Sequence, residues 1–279
     1  MKTFDANWKS RDGTNLFVRG WEPNDRPKAL VAFVHGLGEH ISRYEHVGKA
    51  MTDVGYAFAG FDLRGHGRSG GIRGHSPSLD VAMQDIKEFL IFLTQRYPHA
   101  PQFLYGHSLG GLLTLAYTLK NKTGFKGVIT TAAALRSQVH DQKIKVIMAK
   151  VLGSLIPTTL LPSGLDASIL SRDPNVVNAY RNDPLVHDRM SLGFGKAGLN
   201  ATDYVWQYAE QFAVPLLIMH GAADHNTYPH GSEDFAKLAA KSNHDVTFKL
   251  WDGLYHEVHN EPEKEQVINF MIEWLDRHL

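Results

Sequence analysis

Phe103-Leu104-Tyr105-Gly106-His107-Ser108-Leu109-Gly110-Gly111 passes from an apolar run into the helical pattern of Leu112, Leu113, Leu115 and Ala116, with small residues at the turn. The string fits Gly-x-Ser-x-Gly, in which a strand bends sharply into a helix and the serine sits at the apex in a strained backbone. Gly106 and Gly110 let strand and helix pass close together, Ser108 Oγ projects above the sheet, and the helix N-terminus favours negative charge beside it. A glycine-rich turn around an inert serine is the bland alternative. The strand-to-helix context favours the nucleophile.

Outward from this turn, short apolar runs bounded by Gly, Pro and Asp recur at 16–21, 29–34, 57–63, 127–131, 215–219 and 246–251. Leu30-Val31-Ala32-Phe33-Val34 and Leu216-Leu217-Ile218-Met219 are apolar on both alternating faces, as parallel strands covered on both sides require. Helical periodicity separates them, over 78–97 and 263–279. Strand alternating with helix predicts an α/β fold built on a parallel sheet with helices on both faces. One interval breaks the rhythm. About 80 residues separate the runs ending near Ala133 and starting at Pro215, whereas a strand-helix-strand crossover needs roughly 30 in all. The segment Ile144, Ile147, Met148, Val151, Leu152 and Leu155 keeps helical spacing until Pro157 stops it. The expected organisation is a core of 1–135 and 207–279 with a largely helical cap at 136–206.

A serine hydroxyl needs a base, and the base needs an acid to hold its tautomer. For this turn the chain order is serine, acid, histidine. Gly221-Ala222-Ala223-Asp224 places a carboxylate just beyond one buried strand, where such sheets carry their sites, and Gly253-Leu254-Tyr255-His256 gives a histidine the same placement. His259 is a rival base three residues on. The donors to a developing oxyanion are expected to be the backbone N–H groups of Leu109, after the nucleophile, and of Leu37, in the loop His35-Gly36-Leu37-Gly38-Glu39-His40.

Composition narrows the alternatives. Hydrophobic residues at 43% and charged residues at 21% are globular values, which sets aside disorder, collagen and coiled coil. Basic and acidic residues both number 29, so no global positive field gathers nucleic acid. The chain has no cysteine, which excludes disulfide scaffolds, thiolate metal sites and cysteine nucleophiles. No cofactor and no metal are expected: there is no His-Glu-x-x-His, and the serine machinery supplies its own nucleophile. Two Gly-x-Gly-x-x-Gly matches, at 65–70 and 193–198, open no helix after a strand and are read as loops. With no leader-like apolar segment at the start and no run of about 18 apolar residues, the expectation is a cytoplasmic protein that touches a membrane peripherally at most.

Seven blocks together resemble the α/β-hydrolase superfamily, and within it the monoacylglycerol lipase and lysophospholipase group of serine hydrolases. They are the string from His35 through Glu39 and Arg43 to Tyr44, Asp62-Leu-Arg-Gly-His-Gly-Arg-Ser69, Gly106-His-Ser-Leu-Gly-Gly111, Ser171-Arg-Asp173, Asp183-Pro-Leu185, His220-Gly-Ala-Ala-Asp224 and Tyr255-His-Glu-Val-His259. The resemblance implies a mostly parallel sheet of about eight strands, with the helical cap inserted between strands 6 and 7. It implies Ser108, Asp224 and His256 as the triad and Leu37 and Leu109 as the oxyanion pair. It also implies Glu39, Arg43 and His259 as ligands of a glycerol head, which settles His256 as the base, with Tyr180 as a cap tyrosine near the glycerol exit. The implied reaction is cleavage of monoacylglycerols to glycerol and fatty acid. A lysophospholipase, a general carboxylesterase and a non-catalytic ligand-binding protein of the same fold are the alternatives. The implied partner is a small lipid ester, with no nucleic acid. The apolar stripe of the cap is expected to line an acyl tunnel and, around Leu160 and Leu161, to meet the membrane.

Overall fold

The computed structural model describes residues 1–121, 124–137, 140 and 143–279. Ten strands are present among them: β1 (Lys2–Lys9), β2 (Asn15–Glu22), β3 (Ala29–Val34), β4 (Tyr56–Phe61), β5 (Gln102–His107), β6 (Gly127–Thr131), β7 (Leu160–Pro162), β8 (Arg189–Ser191), β9 (Leu216–Gly221) and β10 (Val246–Trp251). Eight of them form one sheet in the order β1-β2-β4-β3-β5-β6-β9-β10. The pairs β1/β2 and β2/β4 are antiparallel and all others parallel, so the expected mostly parallel sheet is present. Eight α-helices accompany the strands: α1 (Glu45–Asp53), α2 (Leu79–Arg96), α3 (Leu109–Lys120), α4 (Lys143–Leu155), α5 (Pro174–Asn182), α6 (Leu192–Tyr208), α7 (Pro229–Ala239) and α8 (Lys264–Arg277).

The alternation within β3 divides the core. Leu30, Ala32 and Val34 face one layer, where Ile86, Phe89, Leu112, Leu115 and Phe235 cover the sheet with α2, α3 and α7. Ala29, Val31 and Phe33 face the other, filled by Val47 and Met51 of α1 and Met271, Trp274 and Leu275 of α8. Both faces are dry, which is why these central strands read as continuous apolar runs. Edge strand β1 alternates between exposed and half-buried residues and was absent from the apolar runs for that reason.

Between β6 and β9 lie α4, the small antiparallel pair β7/β8, α5 and α6. Ser191 caps α6 by accepting from Phe194 N, and Asp173 caps α5 by accepting from Asn175 N ahead of Pro174. Four positions of the expected cap, 138, 139, 141 and 142, lie outside the described residues. The second half of α6 joins the first core layer through Ala201 and Val205. The α4 stripe departs from expectation: Ile144, Ile147, Met148, Val151 and Leu155 are 75, 63, 53, 52 and 72% exposed. Ala149, on another face of α4, lines the open cavity that also borders Ser108. The helical period was right, but of the six long side chains in the stripe only Leu152 is half-buried and the other five turn to solvent, while the small Ala149 turns inward.

Candidate active site

The turn from β5 into α3 holds Ser108 at φ 52° and ψ −117°, a left-handed conformation that costs a non-glycine residue on the order of 1–3 kcal/mol. Surrounding contacts enforce it. Ser108 N–H donates to Thr131 O at 2.9 Å, and its carbonyl accepts from Leu112 N at 3.1 Å and Ala134 N at 3.0 Å. A Cβ at Gly106 would run into Gly110 O, and one at Gly110 into Val34 O, so strand and helix approach only because both residues are glycine.

Asp224 follows β9 and His256 follows β10, and neighbouring parallel strands deliver both to the same edge of the sheet. Gly221 permits this: a Cβ there would strike the carbonyls of Leu254 and Tyr255, which lie directly over the end of β9. His256 Nδ1 stands 2.7 Å from Asp224 Oδ2, and His256 Nε2 stands 3.0 Å from Ser108 Oγ. All three side chains are buried. Asp224 Oδ1 also accepts from the backbone N–H groups of Asn226 at 2.8 Å and Thr227 at 3.1 Å. Burial pushes the Asp224 carboxyl up, but His256 and the hydrogen bonds from His220 and His256 outweigh it and hold the group far below the usual carboxylate range. Burial pulls His256 down, and the facing Asp224 carboxylate more than restores it, leaving the imidazole above its ordinary value. The arrangement can therefore take a proton from Ser108 and keep the resulting imidazolium paired.

Leu37 and Leu109 line a cavity of about 380 Å³ together with Ser108 and His256. Among the described residues neither of their backbone N–H groups is paired with a protein acceptor. Leu112, Ala134, Met190, Phe194 and Leu199 give the cavity its apolar wall. On the other side of Ser108 a narrow recess is bounded by Glu39, His107, Leu170, Tyr180 and Glu257.

The remaining expected site residues form one network behind that recess. Glu39 Oε1 accepts from Gly36 N at 2.7 Å and from the Tyr44 hydroxyl at 2.8 Å, while Oε2 accepts from Arg43 Nη1 at 2.8 Å. Arg43 is forked onto Glu257 at 2.7 and 2.8 Å and lies 4.7 Å from the Tyr180 ring centre. Burial and the neighbouring Glu257 raise the Glu39 pKa against the pull of Arg43, whereas Glu257, holding both guanidinium arms, is lowered in spite of its burial. His259 is fully buried, stacked on Tyr44 at 4.9 Å and edge-on to His107 at 4.8 Å, and neither ring nitrogen has a hydrogen-bond partner. Desolvation lowers it to about 3, so it is a neutral ring. Glu39 and Tyr180 thus reach the recess, and Arg43 and His259 stand one layer behind it. Arg43 is engaged by Glu39 and Glu257, and the His259 ring packs against Tyr44 and His107.

Sequence reasoning missed Glu257 and His220. Glu257 sits inside the quoted block between the two histidines, and only the fold reveals that Arg43, more than 200 positions away, is its partner. No group of histidines and carboxylates suited to a metal ion occurs among the described residues.

Comparison with known proteins agrees with this geometry. The family described as serine aminopeptidase, S33, matches residues 25–263. The monoacylglycerol lipase of Mycolicibacterium smegmatis is 34% identical over 268 residues, covering 96% of this chain and 95% of that protein. An abhydrolase domain-containing protein of Dictyostelium discoideum is 38% identical along the whole chain, which spans only 30% of that larger protein. Among solved structures, the monoacylglycerol lipase of Paleococcus ferrophilus superposes with a TM-score of 0.86 at 33% identity, with 100% of both chains covered.

Proposed function

We propose that this chain, which belongs to the α/β-hydrolase superfamily with strong homology to its monoacylglycerol lipase-like members, cleaves the carboxylic ester of monoacylglycerols to glycerol and fatty acid. The observation that carries the reading is the Ser108–His256–Asp224 hydrogen-bonded chain placed between an apolar cavity and a polar recess. An acyl chain fits the first chemically, and the second, with about 10 Å³ of free space beside Glu39 and Tyr180, offers room and polar partners for a single glycerol hydroxyl.

In this reading Ser108 Oγ attacks the ester carbonyl while His256 Nε2 takes its proton. The tetrahedral oxyanion is held by the N–H groups of Leu37 and Leu109, each such donor contributing roughly 3 kcal/mol in comparable chemistry. His256 returns the proton to the glycerol oxygen as the ester bond breaks, leaving an acyl-Ser108. Water, deprotonated by the same imidazole, then attacks the acyl carbonyl and releases the fatty acid. Asp224 orients His256 throughout. Glu39, pre-aimed by Gly36 N, Tyr44 and Arg43, is the group that meets a glycerol hydroxyl, and Arg43, Glu257 and His259 act through its position. The protein works at the cytoplasmic face of a membrane, against which the exposed α4 side chains pack when substrate is drawn in.

Glycerol and fatty-acid release from mono-, di- and triacylglycerols, lysophospholipids and short p-nitrophenyl esters tests the assignment. Monoacylglycerols are expected to show the highest kcat/KM. A lysophospholipid hydrolysed faster than every monoacylglycerol would overturn it.

A further inference from the structure

On the far side of Asp224 stands a second imidazole that the triad does not require. His220, the penultimate residue of β9, is wholly buried, and its Nε2 lies 2.9 Å from Asp224 Oδ2, the same oxygen that His256 engages. Its Nδ1 lies 2.8 Å from Ser232 Oγ on α7. A carboxylate only accepts, so His220 Nε2 carries a proton toward Asp224, and the Ser232 hydroxyl, which can donate or accept, pairs with Nδ1 and fixes the ring's orientation. The result is a five-member run, Ser232–His220–Asp224–His256–Ser108, nearly symmetric about the carboxylate. Thr227 Oγ1 adds a third donor to the same oxygen at 2.9 Å.

We infer that His220, held by Ser232, is a positioning residue that shares the Asp224 carboxylate with His256 and so limits how tightly His256 holds a proton. Each donor to a carboxylate draws off part of its charge, and His256 must give its proton up to the leaving group. An Asp224 bonded to His256 alone would hold the imidazolium more firmly and leave less neutral base at a given pH. Other titratable groups also face His256: the carboxyl groups of Glu257 beside it in the chain and Glu39 from the loop after β3, and the rings of His107 and His259. None of these touches the Asp224 oxygen, so removal of His220 is separable from them. The inference rests on the proposed roles of Ser108, His256 and Asp224.

The test measures kcat/KM for p-nitrophenyl acetate between roughly pH 5 and 9, alongside thermal unfolding. It compares the parent, His220→Leu, His220→Gln, Ser232→Ala and Ser108→Ala. His220→Leu is expected to move the acidic limb upward by about half to one pH unit and to lower kcat roughly tenfold. His220→Gln, whose amide N–H can replace Nε2, is expected to restore the parent midpoint, and Ser232→Ala to shift it in the direction of the leucine variant by less. A leucine variant that loses thermal stability with an unmoved midpoint makes His220 a packing residue and overturns the inference. Should that variant not fold, an unmoved midpoint in Ser232→Ala overturns it instead. Full activity in Ser108→Ala would be a failure of the underlying reading, visible separately from these outcomes.

Discussion

His256 Nε2 lies 3.0 Å from Ser108 Oγ, which the backbone at φ 52° holds at the turn. Ser108→Ala is therefore expected to abolish ester hydrolysis and labelling by a fluorophosphonate, and retained labelling would show another nucleophile. The base must be neutral to act, and Asp224 raises His256 above the ordinary value of 6.5. The acidic limb of kcat/KM should accordingly centre above pH 6.5, with activity rising as pH rises through it. A limb centred below that value would mean that desolvation outweighs Asp224. Glu39 presents a different question, because its network is complete without substrate. Glu39→Gln keeps the size and loses the charge, and is expected to lower kcat/KM for monoacylglycerol about tenfold, the scale of one hydrogen bond to a charged group. Activity on p-nitrophenyl acetate, which carries no glycerol, should change less than about threefold by the same argument. Equal losses on both substrates would assign Glu39 to the architecture of the His35–Glu39 loop.

At the scale of elements, α4 stands apart because five of its long apolar side chains, Ile144, Ile147, Met148, Val151 and Leu155, are exposed and spent on neither core nor cavity. A contiguous exposed apolar face costs solubility unless something covers it, and a lipid ester is drawn from a lipid phase. Ile147→Glu and Val151→Glu together are expected to weaken binding to phosphatidylcholine vesicles and turnover of long-chain substrate, with unfolding temperature and p-nitrophenyl acetate hydrolysis unchanged. Parent protein that fails to bind vesicles would leave the face without this role. The same helix shows what a sequence pattern conveys. Its periodicity was legible because apolar spacing of three and four encodes a face, but periodicity names no partner for that face, and the inward residue proved to be Ala149. Strands β3 and β9 were legible because burial on both sides leaves unbroken apolar runs. Strand β1 was not, since an edge strand needs no such run. Ser108, Asp224 and His256, which the structure joins by hydrogen bonds, were legible because they sit at strand ends marked by glycine. The second layer, Arg43 on Glu257 and His220 on Asp224, was not, because it depends on which strand ends the sheet order makes neighbours.

For the whole molecule, the packing of this site implies sensitivity to acid. His35, His66, His107 and His259 are entirely shut away from water and all are lowered by desolvation, His66 and His259 to about 3. In the unfolded chain each returns to an ordinary value of about 6.5. Below that pH the unfolded state binds protons that the folded state refuses, so stability falls as pH falls, by about 1.4 kcal/mol per pH unit per histidine, until the folded value is reached. His256 acts oppositely. Its raised folded value gives stability that is fully present below pH 6.5 and lost as pH rises, so it adds no slope on the acid side where the four act. Asp224, lowered in the fold, contributes stability that is present above the ordinary carboxylate range and lost below it, so it steepens the loss only at stronger acid. The combined slope of the four rings approaches about 5 kcal/mol per pH unit below pH 6, against a total stability of roughly 5–15 kcal/mol for a folded domain. Urea unfolding midpoints should thus drop steeply between about pH 6 and pH 5 while changing little between pH 7 and 8. In His66→Gln, which removes one refused proton, the slope should flatten by about 1.4 kcal/mol per pH unit even if the variant is less stable at neutral pH. A parent midpoint that stays level down to pH 5 would show that these rings take up protons in the folded state, through openings of the loops that now enclose them.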